Sequence, residues 1–335
     1  MNEPKFSIIL CTYMRPNSVR DFLRSVEVQS KYPDQILVID GSLNLETEGV
    51  VNKLNLDNLA YHRVDEVNRG LTKQRNYGIE LLNSDTDIVC FLDDDTVLDI
   101  DYFKNIVKVF QTHPDAIGIG GVARNENRWK KLTPGLKLNP RKYYVLDGYY
   151  IKESSRNVLR NYLGLQSPSP PGIMPPFSHG RTYAYPLNNK LYEVDLLIGM
   201  AMSFRKHLFN KERFSTYFEG YGLYEDADFC LRARKYGKNY LLTSAILDHY
   251  HEASGRPNSF KYGKMVVRNG WYVWRVKYPK PGLTDRFKWN ATSFLLTLIR
   301  YSNAFTGPKR KQALSEAWGR TIGWWSLLFN KPRSR

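Results

Sequence analysis

The chain has 335 residues, of which 42% are apolar and 14% aromatic, enough to bury one large core or two smaller ones, which excludes a disordered protein. No run of 18 apolar residues occurs, and "FSIILCTY" near the start is too short and wrongly flanked for a signal peptide, so the expectation is a cytosolic protein without a spanning helix. The formal charge of +16 is uneven: from Arg256 onward 17 Lys and Arg face only Asp285 and Glu316, so this tail holds +15 and the first 255 residues +1.

In chain order, "KFSIILCTY" reads as a strand, Pro16 opens a helix with Val19, Phe22, Leu23 and Val26 on one face, and "DQILVID" reads as a second strand. A helical segment near 46–54 and the extended "LAYHRV" follow. "GLTKQRNYGIELLN" is expected to be helical, with Tyr77, Ile79 and Leu82 on its apolar face. "DIVCFL" is a buried strand, 101–112 a helix and "AIGIGG" a short strand. This alternation predicts an α/β fold with a doubly wound sheet, in which ligands bind at the carboxyl ends of strands. Asp40 and the run Asp93, Asp94, Asp95 fall at such ends. Regularity fails over 122–190, where "LQSPSPPGIMPPFSHG" has the composition of a loop. "EVDLLIGMAMSFRK" then reads as strand and turn, "YEDADFCLRARKYG" as a helix and "NYLLTSAILDHYH" as extended. Cys11, Cys90 and Cys230, odd in number and widely spaced, read as small core residues rather than a disulfide frame or zinc cluster.

Three consecutive carboxylates at the end of an apolar strand repel one another unless a cation, donors or water receive them. Alternation along an extended chain turns Asp93 and Asp95 to one side and Asp94 to the other, a pairing suited to a hard divalent cation shared with phosphates; the plainer alternative is an acidic turn in solvent. An EF-hand is excluded because Leu98 occupies the position that needs glycine, and no G-x-x-x-x-G-K-[ST] accompanies the strand. "GIGGVA" meets the loose dinucleotide pattern but lacks the apolar helix face after it, and is expected to be a tight turn. On a helix from Tyr224, Asp228 and Arg232 pair at i, i+4, while Phe229 and Leu231 bury. Glu225 and Asp226 are left at its N-terminus, either as caps or as a general base for a substrate hydroxyl. His249 and His251 alternate on one side of an extended segment, as metal ligands or as structural groups. Arg75 and Arg256 can each fork onto a phosphate or stay solvated.

Taken in order, "IILCTYMRP", "ILVIDGS", "NRGLTKQRNYGI", "FLDDD", "IGMAMSFRK", "YEDADFCLRARKYG" and "LDHYH" resemble the family 2 inverting glycosyltransferases of the GT-A fold. The likeness covers about residues 5–275 and is greatest to bacterial, rhamnosyltransferase-like enzymes of surface-polysaccharide assembly. It implies a Rossmann-like mixed sheet flanked by helices, a nucleotide-sugar donor, and Mn²⁺ or Mg²⁺. It further implies that Thr12, Tyr13 and Arg15 line the nucleotide pocket, with Tyr13 against the base, that Asp40 binds the base and that Arg75 binds the diphosphate. Asp93 or Asp94 would contact the ribose, and Asp95, with His249 favoured over His251, would hold the metal. Gly199 and Met200 would border the acceptor, with Asp226 as the catalytic base and Glu225 beside it. Where many members carry "VDDGS", this chain has Gly41 in the second acidic place.

The resemblance divides the chain into a catalytic domain over 1–255, with a nucleotide-binding half (1–121) and an acceptor half (122–255) that carries the loop 164–186, and a basic helical extension over 256–335. Six of the seven Trp fall in that extension. Its mixture of Lys and Arg with Trp, Phe and Leu suits an anionic membrane surface and a glycan or polyprenyl-linked acceptor; the alternative is helices packed on the catalytic domain with a solvated basic face. No nucleic-acid motif is present, and no nucleic acid is expected as a partner. The competing functions are a sugar nucleotidyltransferase, whose glycine-rich basic loop "CTYMRPNS" lacks, and a non-catalytic GT-A-like protein that holds glycan or membrane.

Overall fold

The computed structural model describes residues 3–182, 184–218, 220–251 and 257–333; Arg256 lies outside them. The elements are β1 (Phe6–Thr12), α1 (Pro16–Glu27), β2 (Gln35–Asp40), α2 (Glu46–Val51), β3 (Leu59–Arg63), α3 (Leu71–Glu80), β4 (Ile88–Asp93), β5 (Thr96–Leu98), α4 (Tyr102–Thr112) and β6 (Ala116–Ala123). After them come β7 (Lys130–Lys131), β8 (Tyr143–Leu146), β9 (Tyr149–Lys152), α5 (Ser155–Tyr162), β10 (Leu191–Val194), β11 (Ala201–Arg205), α6 (Glu225–Ala233), β12 (Lys238–His249), α7 (Ser259–Lys277), α8 (Leu283–Thr306) and α9 (Arg310–Phe329). Contacts divide the chain into two units, 1–127 with 187–256, and 128–186 with 257–335.

The first unit is built on a mixed sheet in the order β10-β12-β6-β11-β4-β1-β2-β3, with β5 paired to β12. The run β4-β1-β2-β3 is parallel, whereas β11 is antiparallel to both β4 and β6. Strands β1, β2 and β4 are buried almost throughout, as their continuous apolar sequences require, and the α1 face Val19, Phe22, Leu23 and Val26 is fully buried. Strand order reverses at β1, and the register there sets Thr12 beside Asp40 and Cys11 beside Asp93. The site-bearing residues of three strands therefore meet at one carboxyl-end rim.

Two expectations are corrected. "GIGGVA" is no turn: it is the buried second half of β6. Its glycines admit neighbours, since a Cβ on Gly118 would fall 2.6 Å from the Phe204 ring and Asn239 Oδ1, and one on Gly121 2.7 Å from the Tyr102 ring. The inward face of α3 is Thr72, Gln74, Arg75, Gly78 and Ile79, so Tyr77 and Leu82 are not its core. Gly78 sits where a Cβ would lie 2.7 Å from Ile9, so α3 packs by close approach and polar bonds rather than by an apolar stripe.

The second unit holds the small antiparallel sheet β7-β9-β8, helix α5, and the helices α7, α8 and α9. The sheet and α5 lie within the stretch expected to be irregular; between 164 and 186 the described residues contain neither helix nor strand. Helices α7 and α9 meet backbone to backbone. A Cβ on Gly263 would fall 2.1 Å from the Glu316 carbonyl, and one on Gly319 2.1 Å from the Phe260 carbonyl. Trp274, Trp289, Val267 and Leu327 form the core beside that contact. Gly319→Ala is expected to force the two helices apart and to lower stability by about 1–3 kcal/mol in urea unfolding, whereas Gly49→Ala, in open space on α2, is the control expected to hold or slightly raise it.

Candidate functional site

At the rim of the first unit the three aspartates separate as expected, but β4 ends at Asp93 and it is the turn at Asp94 and Asp95, before β5, that divides them. Asp94 turns inward: its Oδ2 accepts from Thr12 Oγ1 at 2.6 Å and its Oδ1 from Arg15 Nη1 at 2.9 Å. Burial pushes its carboxyl up to about 6, against the pull of Arg15 and Thr12. Asp93 and Asp95 lie on the other side with His249, and one ligand atom from each falls within 4.8 Å of the others. The antiparallel register of β5 and β12 places His249 opposite Thr96, and Tyr250 N donates to the Asp95 carbonyl at 2.9 Å. This pairing between segments some 150 residues apart brings His249 Nε2 to 3.3 Å from Asp95 Oδ1. His249 Nδ1 lies 2.8 Å from Glu126 Oε1, which also receives His251 Nε2 at 2.8 Å. Burial opposes charge on His249, but Asp95 and Glu126 outweigh it and raise its pKa to about 9. Two carboxylates and an imidazole are a donor set that fits Mn²⁺ or Mg²⁺, with Glu126 orienting the ring from behind.

Arg75, only 2% exposed, ties this group to the second acidic cluster. Its Nη1 donates to Glu225 Oε1 at 2.5 Å and its Nη2 to the Gly199 carbonyl at 3.2 Å, and it lies 3.7 Å from Asp93. The Phe214 and Phe91 rings lie 5.1 and 5.8 Å from the guanidinium carbon. Gly220, Gly222 and Tyr224 all have φ between 72° and 74°, so the chain winds sharply before α6 and brings Glu225 and Asp226 to its N-terminus. Asp226 accepts from Gly199 N at 3.0 Å and Ala227 N at 2.8 Å. Burial still raises its pKa, which makes it a stronger base than an ordinary aspartate. A Cβ on Gly199 would lie 3.3 Å from both carboxylates, so glycine leaves them room. Asp228 and Arg232 form the expected i, i+4 pair at 2.7 Å.

On the nucleotide side Tyr13 is exposed at the end of β1, and Met14, at φ 57°, turns the chain so that its N–H donates to Ser42 Oγ. Asp40 is fully buried and spends both oxygens inside the protein, on Ser42 N at 2.8 Å and Tyr61 OH at 2.7 Å. A Cβ on Gly41 would stand 3.1 Å from Gln74 Oε1 and 3.2 Å from Arg69 Cγ, so the glycine leaves room for these two side chains. Met200 is buried, and its carbonyl accepts from Asp93 N at 3.1 Å.

Sequence reasoning missed Gln74, Tyr61, Ser42 and Glu126. Gln74 Nε2 bridges the Thr12 and Ile39 carbonyls at 3.0 and 2.7 Å, tying β1 to β2 at the rim. Its only local signal was polarity at an inward helix position next to Arg75. Glu126 carried no signal, because its role rests on the pairing of β12.

Residues 7–164 match the family model described as Glycosyl transferase family 2. Over 148 residues, 43% of this chain and 45% of the relative, the chain is 30% identical to a glucosyl-dolichyl phosphate glucuronosyltransferase of Haloferax volcanii, so it spans less than half of that relative's length. Among solved structures it is similar to the mannosyltransferase PcManGT of Pyrobaculum calidifontis in complex with GDP-Man and Mn²⁺, at 14% identity and TM-score 0.55, covering 99% of this chain and 89% of that one. It is also similar to TarS 1–349 of S. aureus in complex with UDP, at 15% identity and TM-score 0.50, covering 93% and 80%.

Burial, opposed by Arg75 and reinforced by Asp226, raises the Glu225 pKa from 4.5 to about 8. The folded chain therefore holds this proton more tightly than the unfolded one, and the stability it lends is full below about 4.5 and lost as pH rises through about 8. Denaturation of the wild type from pH 5 to 9 is expected to show a decline, relative to Glu225→Gln, of more than about 1 kcal/mol; parallel curves would contradict this. Residues 7–164 thus match the Glycosyl transferase family 2 model, in a chain whose central sheet and flanking helices share the fold of GT-A-type structures.

Proposed function

We propose that this protein is an inverting, metal-dependent glycosyltransferase that moves a sugar from a nucleoside diphosphate donor to a hydroxyl of a glycan or lipid-linked acceptor. The observation that carries the reading is the joining of two acidic clusters by one buried cation: Asp93, Asp95 and His249 on one side of Arg75, Glu225 and Asp226 on the other. The family match over 7–164 supplies the reaction class.

In this reading Asp93, Asp95 and His249 would hold Mn²⁺ or Mg²⁺, and the chemistry it would supply there is neutralisation of charge on the departing nucleoside diphosphate. Tyr13 lies against the base, Thr12 and Arg15 line the pocket, and Asp94 holds both in place through its two bonds. Asp40 braces the base pocket through Ser42 and Tyr61. Arg75 keeps Glu225 and the Gly199 carbonyl in register with Asp93, and faces the diphosphate from there. Asp226 takes the proton from the acceptor hydroxyl. That oxygen attacks the anomeric carbon from the face opposite the leaving group, the bond to the diphosphate breaks, and configuration inverts without a covalent sugar–enzyme intermediate. Gly199 and Met200 border the acceptor. The motif order favours a rhamnosyltransferase-like role in surface-polysaccharide assembly, and the relative named for glucosyl-dolichyl phosphate favours a lipid-linked acceptor.

The reading includes a peripheral site of action on the cytoplasmic face of the membrane; helices α8 and α9 support the membrane contact. Leu283, Phe287, Phe294, Leu298 and Phe305 are exposed at spacings of four and seven residues, one stripe about 33 Å long, while Thr292, Ser293 and Thr297 of the same helix are buried. Leu314, Trp318, Trp325 and Phe329 repeat the spacing on α9, with Phe329 90% exposed. Apolar stripes on a segment of charge +15 suit the interface of an anionic bilayer. No helix among the described residues is long and apolar enough to cross one.

Asp95→Asn and Asp226→Asn are each expected to lower nucleoside diphosphate release by about 10³-fold or more in Mn²⁺ with a panel of UDP-, dTDP- and GDP-sugars. Unchanged rates in both would refute the assigned roles. Retention on phosphatidylglycerol vesicles at low salt is expected to fall several-fold in Phe287→Ser/Phe294→Ser/Phe305→Ser; equal retention would remove the stripe from the membrane reading.

A further inference from the structure

Within the second unit, helices α7, α8 and α9 border a half-open cavity of about 340 Å³. Trp271, Trp274, Trp289 and Trp324 wall it, and Arg275, Arg286 and Lys331 also line it. Trp274 and Trp289 stack at 5.3 Å with ring planes 4° apart, and Arg275 lies 5.5 Å from the Trp271 ring and 5.7 Å from the Trp274 ring. A wall this apolar requires a reason for three cations.

No carboxylate supplies one. Glu316 is bonded to Arg300 and Arg320, and among the described residues neither Arg275, Arg286 nor Lys331 has an ion-pair partner. Arg286 Nε donates to the Pro281 carbonyl, which leaves the rest of its fork unspent. Trp289 is 2% exposed, yet its indole N–H has no acceptor. Burial and then the charge of Arg286 both depress the Arg275 pKa, so the two guanidiniums work against each other as they stand. An anion between them removes that repulsion, and arginine forks match phosphate oxygens. The half-buried Trp271 and Trp324 indoles, backed by the stacked pair, offer flat apolar walls for a hydrocarbon attached to the same anion, and the volume is that of a small-ligand site.

We infer that this cavity binds the phosphate head and first carbons of a membrane lipid, with Arg275, Arg286 and Lys331 on the phosphate and the indoles on the chain. A lipid is favoured over a soluble phosphate because Leu328, itself 54% exposed, lines the cavity and lies on α9 beside the exposed Phe329, so the cavity wall continues into the apolar surface. The inference takes the source of its ligand from the membrane reading above, but the site stands on its own residues.

Calorimetric titration of the full chain with geranyl phosphate, below its micellar concentration and without vesicles, tests the site apart from membrane binding. Saturable binding at one site is expected, with geraniol at least about tenfold weaker and inorganic phosphate about 100-fold weaker. Arg275→Gln/Arg286→Gln is expected to lose about tenfold or more with unchanged helical circular dichroism, and Lys331→Gln, at an exposed rim position, a few-fold. The assignment is overturned if geraniol or inorganic phosphate binds as tightly as geranyl phosphate, or if the folded double variant binds like the wild type. Should the double variant not fold, unchanged binding by Lys331→Gln overturns it. Loss of vesicle retention with probe binding intact would sink the membrane reading and leave the pocket standing.

Discussion

The constraint on which the candidate site depends is charge crowding. Five carboxylates, Asp93, Asp94, Asp95, Glu225 and Asp226, gather around two arginines, and each arginine is committed: Arg15 to Asp94 and Asp95, Arg75 to Glu225 and Asp93. In a low-dielectric rim such a set is tolerated only if protons, hydrogen bonds or a cation offset the repulsion. All three devices have a place here. Glu225 and Asp94 are pushed toward their protonated forms, Asp226 takes two backbone N–H bonds, and Asp93, Asp95 and His249 form a donor set for a divalent ion.

That crowding explains why polar residues occupy positions that periodicity assigns to an apolar core. Helix α3 turns Gln74 and Arg75 inward, where they bind the Thr12 and Ile39 carbonyls at the strand ends and the Glu225 carboxylate at the start of α6. Gly78 then lets the helix approach Ile9 closely enough for those bonds to form. Tyr224 accepts a left-handed conformation for the same purpose, since only that turn sets two carboxylates side by side at the start of α6.

What could be read from sequence was what is local. The strands ending in Asp40 and Asp93, the α1 face and the i, i+4 pair of Asp228 and Arg232 follow from short-range periodicity. The partnership of His249 with Asp95 came only from the motif resemblance and that with Glu126 from neither, because both are set by the register of β12 on β5 across some 150 residues. Asp40 shows the same limit: its place at a strand end was legible and its bond from Ser42 N is local, but its other partner, Tyr61, is brought by the pairing of β2 with β3. The interior of 128–186, with a small sheet and α5, was hidden by strands only two to four residues long.

The tail presents the opposite physics. In the sheet unit, charge is drawn inward and must be compensated; in α8 and α9, apolar side chains are turned outward while Thr292, Ser293 and Thr297 are buried. A helix of that pattern gains nothing from water on its Leu and Phe face, and exposing such a stripe costs roughly 25 cal/mol for each Å² left uncovered. Glycine contacts at Gly263 and Gly319 hold α7 against α9, and Val267, Trp274, Trp289 and Leu327 pack beside them. The Leu and Phe side chains outside that core are left at the surface, in a segment rich in basic rather than acidic residues. A covering phase that is apolar inside and anionic at its edge satisfies both features at once.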